Sequence, residues 1–165
     1  MSSDFNKDAL LRSAKRINVS YFKEQQEDAI NTIWQWWQSQ SISFTLSGYA
    51  GTGKTFIMRH LVRYLIVEKV CVTAPTHKAL RVLENSSGKK GMTIQSLCGL
   101  RPDVDIEDYN IENPSFKVIG EQKMRGYRLV IIDECSMINP GLFNLLIKTA
   151  IQCRCKLLFL SLIHI

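Results

Sequence analysis

The sequence predicts an α/β domain built on a parallel β-sheet with right-handed crossovers. Short apolar runs of strand length alternate along the 165 residues with segments in which apolar residues recur at helical spacing. One of these runs, Leu129–Ile132, contains no polar residue at all, which is typical of a strand buried on both faces of a parallel sheet.

The first half of the chain predicts an initial helix and two strand–helix units. Residues 1–20 form a polar lead-in, and residues 23–38 predict a helix with one apolar stripe: Ala29, Ile30, Ile33, Trp34 and Trp37. We expect Trp34 and Trp37 to be core residues rather than a platform for stacked bases, whereas Trp36 lies off the stripe and is assigned to neither. The elements that follow are a strand at 42–46, a glycine-rich loop at 48–53, a helix at 55–67, a strand at 70–74, a helix at 76–83 and a turn at 86–91.

The second half continues the alternation after one interruption. Residues 101–127 are acidic and contain two prolines, which predicts a surface excursion rather than a core element. Asn139 followed by Pro140 predicts an N-cap and the first helical position. The expected elements are a short helix or turn at 93–99, a strand at 129–132, a helix from Asn139 to about 151 and a strand at 156–160.

Composition excludes several classes of protein. Apolar residues make up 45% of the chain, no apolar run approaches the roughly 20 residues of a membrane span, and residues 1–15 lack the apolar region of a secretory signal. Five cysteines without paired CxxC spacing indicate reduced thiols and a cytoplasmic protein. Cys153 and Cys155 alone are too few ligands for a zinc site.

The net charge of +6 is concentrated in one segment. Residues 52–90 contain eight basic and two acidic residues, whereas residues 101–127 are net acidic. Such a basic block either faces a polyanion such as nucleic acid or forms a solvated helical face, and charge alone does not decide between them.

The segment Gly48–Thr55 matches the phosphate-loop pattern G-x-x-x-x-G-K-[ST] and falls between a predicted strand and a predicted helix. In such a loop the backbone N–H groups of Gly48, Gly51, Thr52 and Gly53 surround phosphates. Lys54 reaches the β- and γ-phosphates, and the Thr55 hydroxyl holds Mg²⁺. The alternative is a chance match to the pattern in a glycine-rich loop. A chance match has no reason to fall between a strand and a helix.

Asp133 and Glu134 directly follow the apolar strand at 129–132. A carboxylate at this end of a parallel strand is placed for a second Mg²⁺ contact, so we assign Asp133 to the metal and Glu134 to the general base that polarises the attacking water. The alternative is a pair of acids that only ends a strand. Together the two motifs predict binding and hydrolysis of a nucleoside triphosphate, ATP, with Mg²⁺.

Four segments in this order resemble the motifs of superfamily 1 DNA helicases, and most closely their 5′-to-3′ (Dda/RecD-like) branch: Gly48–Thr55, Ala74–Leu80, Thr93–Leu97 and Asp133–Met137. The resemblance covers about residues 20–160. It implies a RecA-like P-loop NTPase domain with helices on both faces of the sheet. It also implies a monomeric motor that couples ATP hydrolysis to translocation on single-stranded DNA and to duplex unwinding, in replication, repair or recombination.

The resemblance also implies roles for residues outside the two nucleotide motifs. Gln26 matches the glutamine that reads the adenine edge, and the excursion at 101–127 matches an inserted hairpin subdomain. Contacts to single-stranded DNA are implied for Pro75, Thr76, His77, Thr93 and Ser96, and we add the adjacent Lys78, which lies in the basic block. Without the motif His77 would be assigned as an ordinary loop histidine, and Gln95 stands where the family usually has a histidine.

The family continues beyond its Asp-Glu motif into a second motor domain, whose arginines complete the ATP site. Residues 156–160 fit the strand that follows, and we expect this strand to lie between the phosphate-loop strand and the Asp-Glu strand. Residues 161–165 do not fit, so we expect a domain at 21–160 from a truncated reading frame with an artefactual tail at 161–165, the alternative being a divergent natural end. On this interpretation the fragment alone is inactive.

Two other functions remain open. One is a different P-loop ATPase, such as a relaxase–helicase or a DNA-packaging motor. The other is a non-catalytic module that binds DNA in a nucleotide-dependent way.

Overall fold

The computed structural model describes residues 24–49, 53–64, 69–102, 116–118, 120 and 122–162. The predicted lead-in at 1–20 and residues 163–165 of the predicted tail lie outside these ranges. Within them, every helix is too short or too polar to span a bilayer. All five cysteines are free thiols, as expected.

The predicted parallel sheet is confirmed. Five strands in the order β1-β7-β6-β2-β3 pair in parallel throughout. Their bounds are Ser43–Gly48 for β1, Val70–Ala74 for β2, Met92–Thr93 for β3, Leu129–Ile132 for β6 and Lys156–Leu162 for β7. The last strand lies between β1 and β6, which is the position expected for it.

Helices cover both faces of the sheet. They are α1 at Glu24–Gln38, α2 at Lys54–Tyr64, α3 at His77–Ser87, α4 at Ile94–Cys98 and α5 at Pro140–Cys153. The first three form one apolar core with residues such as Ile30 and Leu61, and the last two form a second with residues such as Leu97 and Leu146. Successive residues of a strand belong to opposite cores, because side chains alternate across a sheet.

Trp36 is buried, although its place off the sequence stripe gave it no core role. It is 6% exposed, and its ring stacks on Phe44 of β1 with centroids 5.7 Å apart. Its neighbour Trp37 is also core, as predicted, and Trp34 is partly buried against the same cluster. The C-terminal turns of α1 therefore bury a wider face than a single stripe, because they lie over both the core and β1.

The segment 101–127 is not entirely a surface excursion. Met124 is fully buried in the second core, because a 3-10 helix at Lys123–Gly126 packs against α4 and α5. Two short strands, β4 at Leu100–Pro102 and β5 at Phe116–Val118, pair antiparallel. Residues 103–115 lie outside the described ranges, so the hairpin subdomain and the domain boundaries stay predictions.

Helix α3 and strand β7 extend beyond the ends that the sequence predicted. Helix α3 continues through Ser87 and ends at Gly88, which has φ 70°, a conformation that suits glycine. Strand β7 continues through Ser161 and Leu162, which pair with Ser47 and Gly48.

Candidate functional site

The predicted site residues that the structure describes gather at one edge of the sheet. Gly48 ends β1, Asp133 follows β6, Pro75 follows β2 and Thr93 ends β3. Because all five strands are parallel, these carboxyl ends meet at one edge, where open α/β sheets bind their ligands.

The phosphate-loop lysine lies across the start of its own loop. Lys54 is the first residue of α2, and its ammonium donates hydrogen bonds to the carbonyl oxygens of Gly48 and Tyr49, at 2.5 and 2.7 Å. Gly53 has φ 90°, which a residue with a side chain rarely adopts, and its carbonyl accepts the first α2 hydrogen bond from Ile57 at 2.9 Å. The glycine therefore turns the chain from loop into helix.

Four of the predicted nucleotide ligands are placed only in part or not at all. Gly51 and Thr52 lie outside the described residues. Thr55 lies in the first turn of α2, and Gln26 lies in the first turn of α1, but the structure does not describe their side chains.

Lys54 and Asp133 are coupled electrostatically. Burial lowers the pKa of Lys54, and the charge of Asp133 partly offsets this. Burial raises the pKa of Asp133, and the N–H of Glu134 and the charge of Lys54 partly offset that. Each group is thus desolvated in a place where its charge is stabilised by the other, as at many functional sites.

The main chain fixes the position of Asp133. Its N–H donates to the carbonyl of Thr73 at 3.0 Å, which extends the β6–β2 ladder by one residue. One carboxylate oxygen accepts from the N–H of Glu134 at 2.9 Å. Glu134 itself has φ 52° and ψ 40°, the left-handed conformation, which costs a non-glycine residue of the order of 1 kcal/mol.

The two segments assigned to DNA are neighbours, since Thr93 pairs with Ala74 in the β2–β3 register. Each contains a threonine that caps a helix. Thr76 accepts from the N–H of Ala79 at 3.2 Å at the start of α3, and Thr93 accepts from the N–H of Ser96 at 3.3 Å at the start of α4. The sequence analysis missed both caps, although a threonine placed just before a helical segment is a capping signal.

The remaining residues of the two segments differ in exposure. His77 and Lys78 are exposed on the first turn of α3, whereas Pro75 and Ser96 are half-buried. The structure therefore leaves Thr76, His77 and Lys78 accessible and also gives Thr76 and Thr93 a structural role as caps.

Thr73 is a residue of the site that sequence reasoning did not single out. Its side chain is fully buried, and its hydroxyl oxygen has no hydrogen-bond partner among the described residues. Its carbonyl holds the N–H of Asp133, and two residues later the chain enters the segment at 75–78. The available signal was a single polar residue in the otherwise apolar strand Val70–Ala74.

Comparison with known proteins matches residues 21–161 to a family described as "AAA domain". The chain is 33% identical over 129 residues to a protein of Enterobacteria phage T4 named ATP-dependent DNA helicase dda, which covers 76% of this chain and 28% of the phage protein.

Two solved structures share the fold. One is described as "Structural Basis for DNA Unwinding at Forked dsDNA by two coordinating Pif1 helicases" (TM-score 0.59, 22% identity, 85% of this chain and 33% of that chain). The other is Bacteroides sp Pif1 in complex with ADP-AlF4 (TM-score 0.56, 22% identity, 85% and 32%). The chain thus spans about a third or less of the length of each of these relatives.

Proposed function

The chain belongs to the AAA domain family, and from this premise we propose that it is the ATP-binding motor domain of a superfamily 1 DNA helicase. The observation that supports this most directly is the placement of Lys54 and Asp133 at the carboxyl edge of a parallel sheet, where the charge of each stabilises the other. The proposed activity is ATP hydrolysis coupled to translocation on single-stranded DNA and to duplex unwinding, in replication, repair or recombination. The phage relative named as an ATP-dependent DNA helicase supports the same proposal.

In this proposal ATP binds across the phosphate loop. The backbone N–H groups of Gly48, Gly51, Thr52 and Gly53 surround the phosphates at the positive end of α2. The ammonium of Lys54 exchanges the carbonyls of Gly48 and Tyr49 for β- and γ-phosphate oxygens. Gln26, in the first turn of α1, reads the adenine edge.

The residues present fit a magnesium ion held together with the nucleotide. Magnesium keeps several waters and takes one or two protein oxygens plus phosphate oxygens, rather than an all-protein cage. The carboxylate of Asp133, whose charge is stabilised by that of Lys54, supplies a protein oxygen of this kind. Thr55 and Asp133 would hold the ion, which when bound neutralises charge on the phosphates.

Glu134 is the proposed general base. The bond from the Asp133 N–H to Thr73 fixes the preceding residue, and the left-handed backbone of Glu134 turns the chain away from the direction of β6. Such strained conformations persist only where the surrounding fold imposes them, and they are concentrated at active sites. The carboxylate of Glu134 would polarise the attacking water next to the carboxylate that holds the ion.

Single-stranded DNA is the proposed polymer partner, bound along the segments at 75–78 and 93–96. The exposed His77 and Lys78 supply the backbone contacts that the structure leaves accessible, and Pro75 and Ser96 flank them. Thr76 and Thr93 hold the two helix starts in register, and their own DNA contacts remain part of the proposal. Contacts to phosphate carry little sequence information, so binding should be insensitive to base order.

The test is a salt series of single-stranded DNA binding by this chain. Fluorescence anisotropy with a labelled oligo-dT measures affinity for wild type, Lys78→Ala and Lys123→Ala. Lys123 is an equally exposed lysine on the 3-10 helix, so both variants lose one positive charge. We expect Lys78→Ala to bind more weakly and to lower the log–log salt slope by about 0.7, whereas Lys123→Ala should match wild type.

Two results would contradict the DNA assignment. One is an absence of salt-sensitive oligo-dT binding by wild type. The other is an equal loss in both variants, which would make the basic block a solvated face that attracts DNA only through net charge.

A further inference from the structure

A second candidate site lies at the opposite edge of the sheet. A cavity of about 390 Å³ opens where β1, β6 and β7 begin, between the C-terminal ends of α1 and α5. Its volume is within the range of sites that hold a small ligand or a few side chains. The residues that line it are Trp37, Gln38, Ser39, Gln40, Ile42, Arg128, Ile151, Arg154 and Lys156.

The charge of this cavity is one-sided. Its lining contains Arg128, Arg154 and Lys156, and none of its nine residues is acidic. Two guanidinium groups are well suited to carboxylates, which they can bind with paired hydrogen bonds. The cavity therefore favours an anionic ligand.

Lys156 forms the fixed wall of the cavity. Its ammonium donates to the carbonyl oxygens of Trp36, Ser39 and Ser41, at 3.0, 2.8 and 2.8 Å, and lies 5.0 Å from the centroid of the Trp36 ring. These bonds close the C-terminal end of α1 over the start of β7. All three N–H groups of the ammonium are thereby used, so an incoming anion would meet the exposed guanidinium of Arg154 rather than Lys156.

The apolar part of the lining distinguishes between kinds of anion. Ile151 is 58% exposed although it is a large apolar residue, and Ile42 is half-buried beside the same cavity. Trp37 is only 8% exposed, and the Arg128 guanidinium lies 5.9 Å from its ring centroid. Nucleic acid bases stack on exposed aromatic faces, which this lining does not offer.

We propose that this cavity binds a short acidic segment of a partner protein, with one apolar side chain against Ile42 and Ile151 and carboxylates at Arg128 and Arg154. Charge complementarity favours an anionic partner, and the exposed Ile151 without an exposed aromatic face favours an acidic peptide over a nucleic acid strand. The site lies at the edge opposite Lys54 and Asp133, so the proposal does not depend on the nucleotide or DNA assignments.

The test uses fluorescein-labelled Asp-Asp-Leu-Asp-Asp peptide and fluorescence anisotropy on the whole chain. Wild type should bind it saturably, and Arg154→Glu should weaken binding at least tenfold. Arg125→Glu is the matched control, because it reverses the charge of another exposed arginine outside the cavity, and it should bind like wild type. Thermal melting confirms that each variant is folded.

A second variant and two further probes keep the test specific. Ile151→Ser should also weaken binding, as should replacing the leucine of the peptide by serine or its aspartates by asparagines. The proposal is overturned if wild type shows no saturable binding up to about 1 mM peptide. Three further results would overturn it as well. They are an equal loss of peptide affinity in Arg154→Glu and Arg125→Glu, an unchanged affinity for the peptide in which serine replaces leucine, and displacement of the peptide by oligo-dT.

Discussion

Asp133 and Lys54 each sit where burial disfavours the charge that the proposed chemistry requires. Burial raises the pKa of the Asp133 carboxyl and lowers the pKa of the Lys54 ammonium, and each charge only partly stabilises the other. A charged side chain that is partly buried in this way reduces the stability of the fold. We therefore expect a variant with a neutral side chain of similar shape to be more stable than wild type, as is common at functional sites.

Asp133→Asn should raise the free energy of unfolding at neutral pH, by roughly 1 kcal/mol or less after solvent screening. Asparagine keeps the oxygen that accepts from Glu134 and loses the buried charge. The pKa of Asp133 in the folded state lies above its ordinary value of 3.8, which applies to the unfolded state. At a pH between the two pKa values, the folded protein therefore binds more protons than the unfolded protein. As pH rises from 3.8 through the folded-state pKa, the free energy of unfolding of wild type therefore falls relative to that of Asp133→Asn. Below pH 3.8 the free energies of unfolding of the two proteins should be equal.

Urea unfolding of both proteins at a series of pH values measures this difference. Asp28→Asn, on an exposed residue of α1, is the control and should not reproduce it. An Asp133→Asn variant that is less stable than wild type at neutral pH would show that the carboxylate is a net stabilising group, contrary to this account.

At the scale of elements, buried strands were the most predictable part of the fold. The bounds of β2 and β6 agree with the sequence prediction at both ends, because both strands are completely buried, Pro75 stops β2, and Arg128 and Asp133 flank the apolar run of β6. Strand β3 was missed, since two residues give no periodicity. Trp36 could not be assigned from the sequence, because helical spacing does not record that the end of α1 lies over Phe44.

Thr76 has a structural role that its motif does not indicate. The motif predicts a DNA contact for Thr76, and its hydroxyl also accepts from the N–H of Ala79 and caps α3. Thr76→Ala should therefore reduce the free energy of unfolding by about 1 kcal/mol, and Thr76→Ser, which keeps the hydroxyl, should restore most of it. Chemical denaturation measures both variants.

The two Thr76 variants test the cap itself. If Thr76→Ala unfolds at the same denaturant concentration as wild type, the cap contributes nothing to stability. If Thr76→Ser is as unstable as Thr76→Ala, the loss comes from the methyl group and not from the hydrogen bond.

At the scale of the whole molecule, the order of strands brings distant motifs together. β7 separates the phosphate-loop strand β1 from β6, and β6 pairs with β2, so Lys54, Asp133 and the segment at 75–78 share one edge. The sequence predicted this edge because two of its motifs lie where strands end. It did not predict the cavity at the opposite edge, whose lining comes from four separate stretches of chain.

The central claim is that the carboxyl edge binds a magnesium nucleotide through Lys54. Titration of this chain with a fluorescent ATP analogue and Mg²⁺ tests it most directly, using wild type, Lys54→Ala and Lys148→Ala, an exposed lysine on α5 that serves as the matched control. We predict that wild type and Lys148→Ala bind with equal affinity and that Lys54→Ala, confirmed as folded by thermal melting, does not bind. Unchanged affinity in Lys54→Ala, or no binding by wild type, would contradict the account.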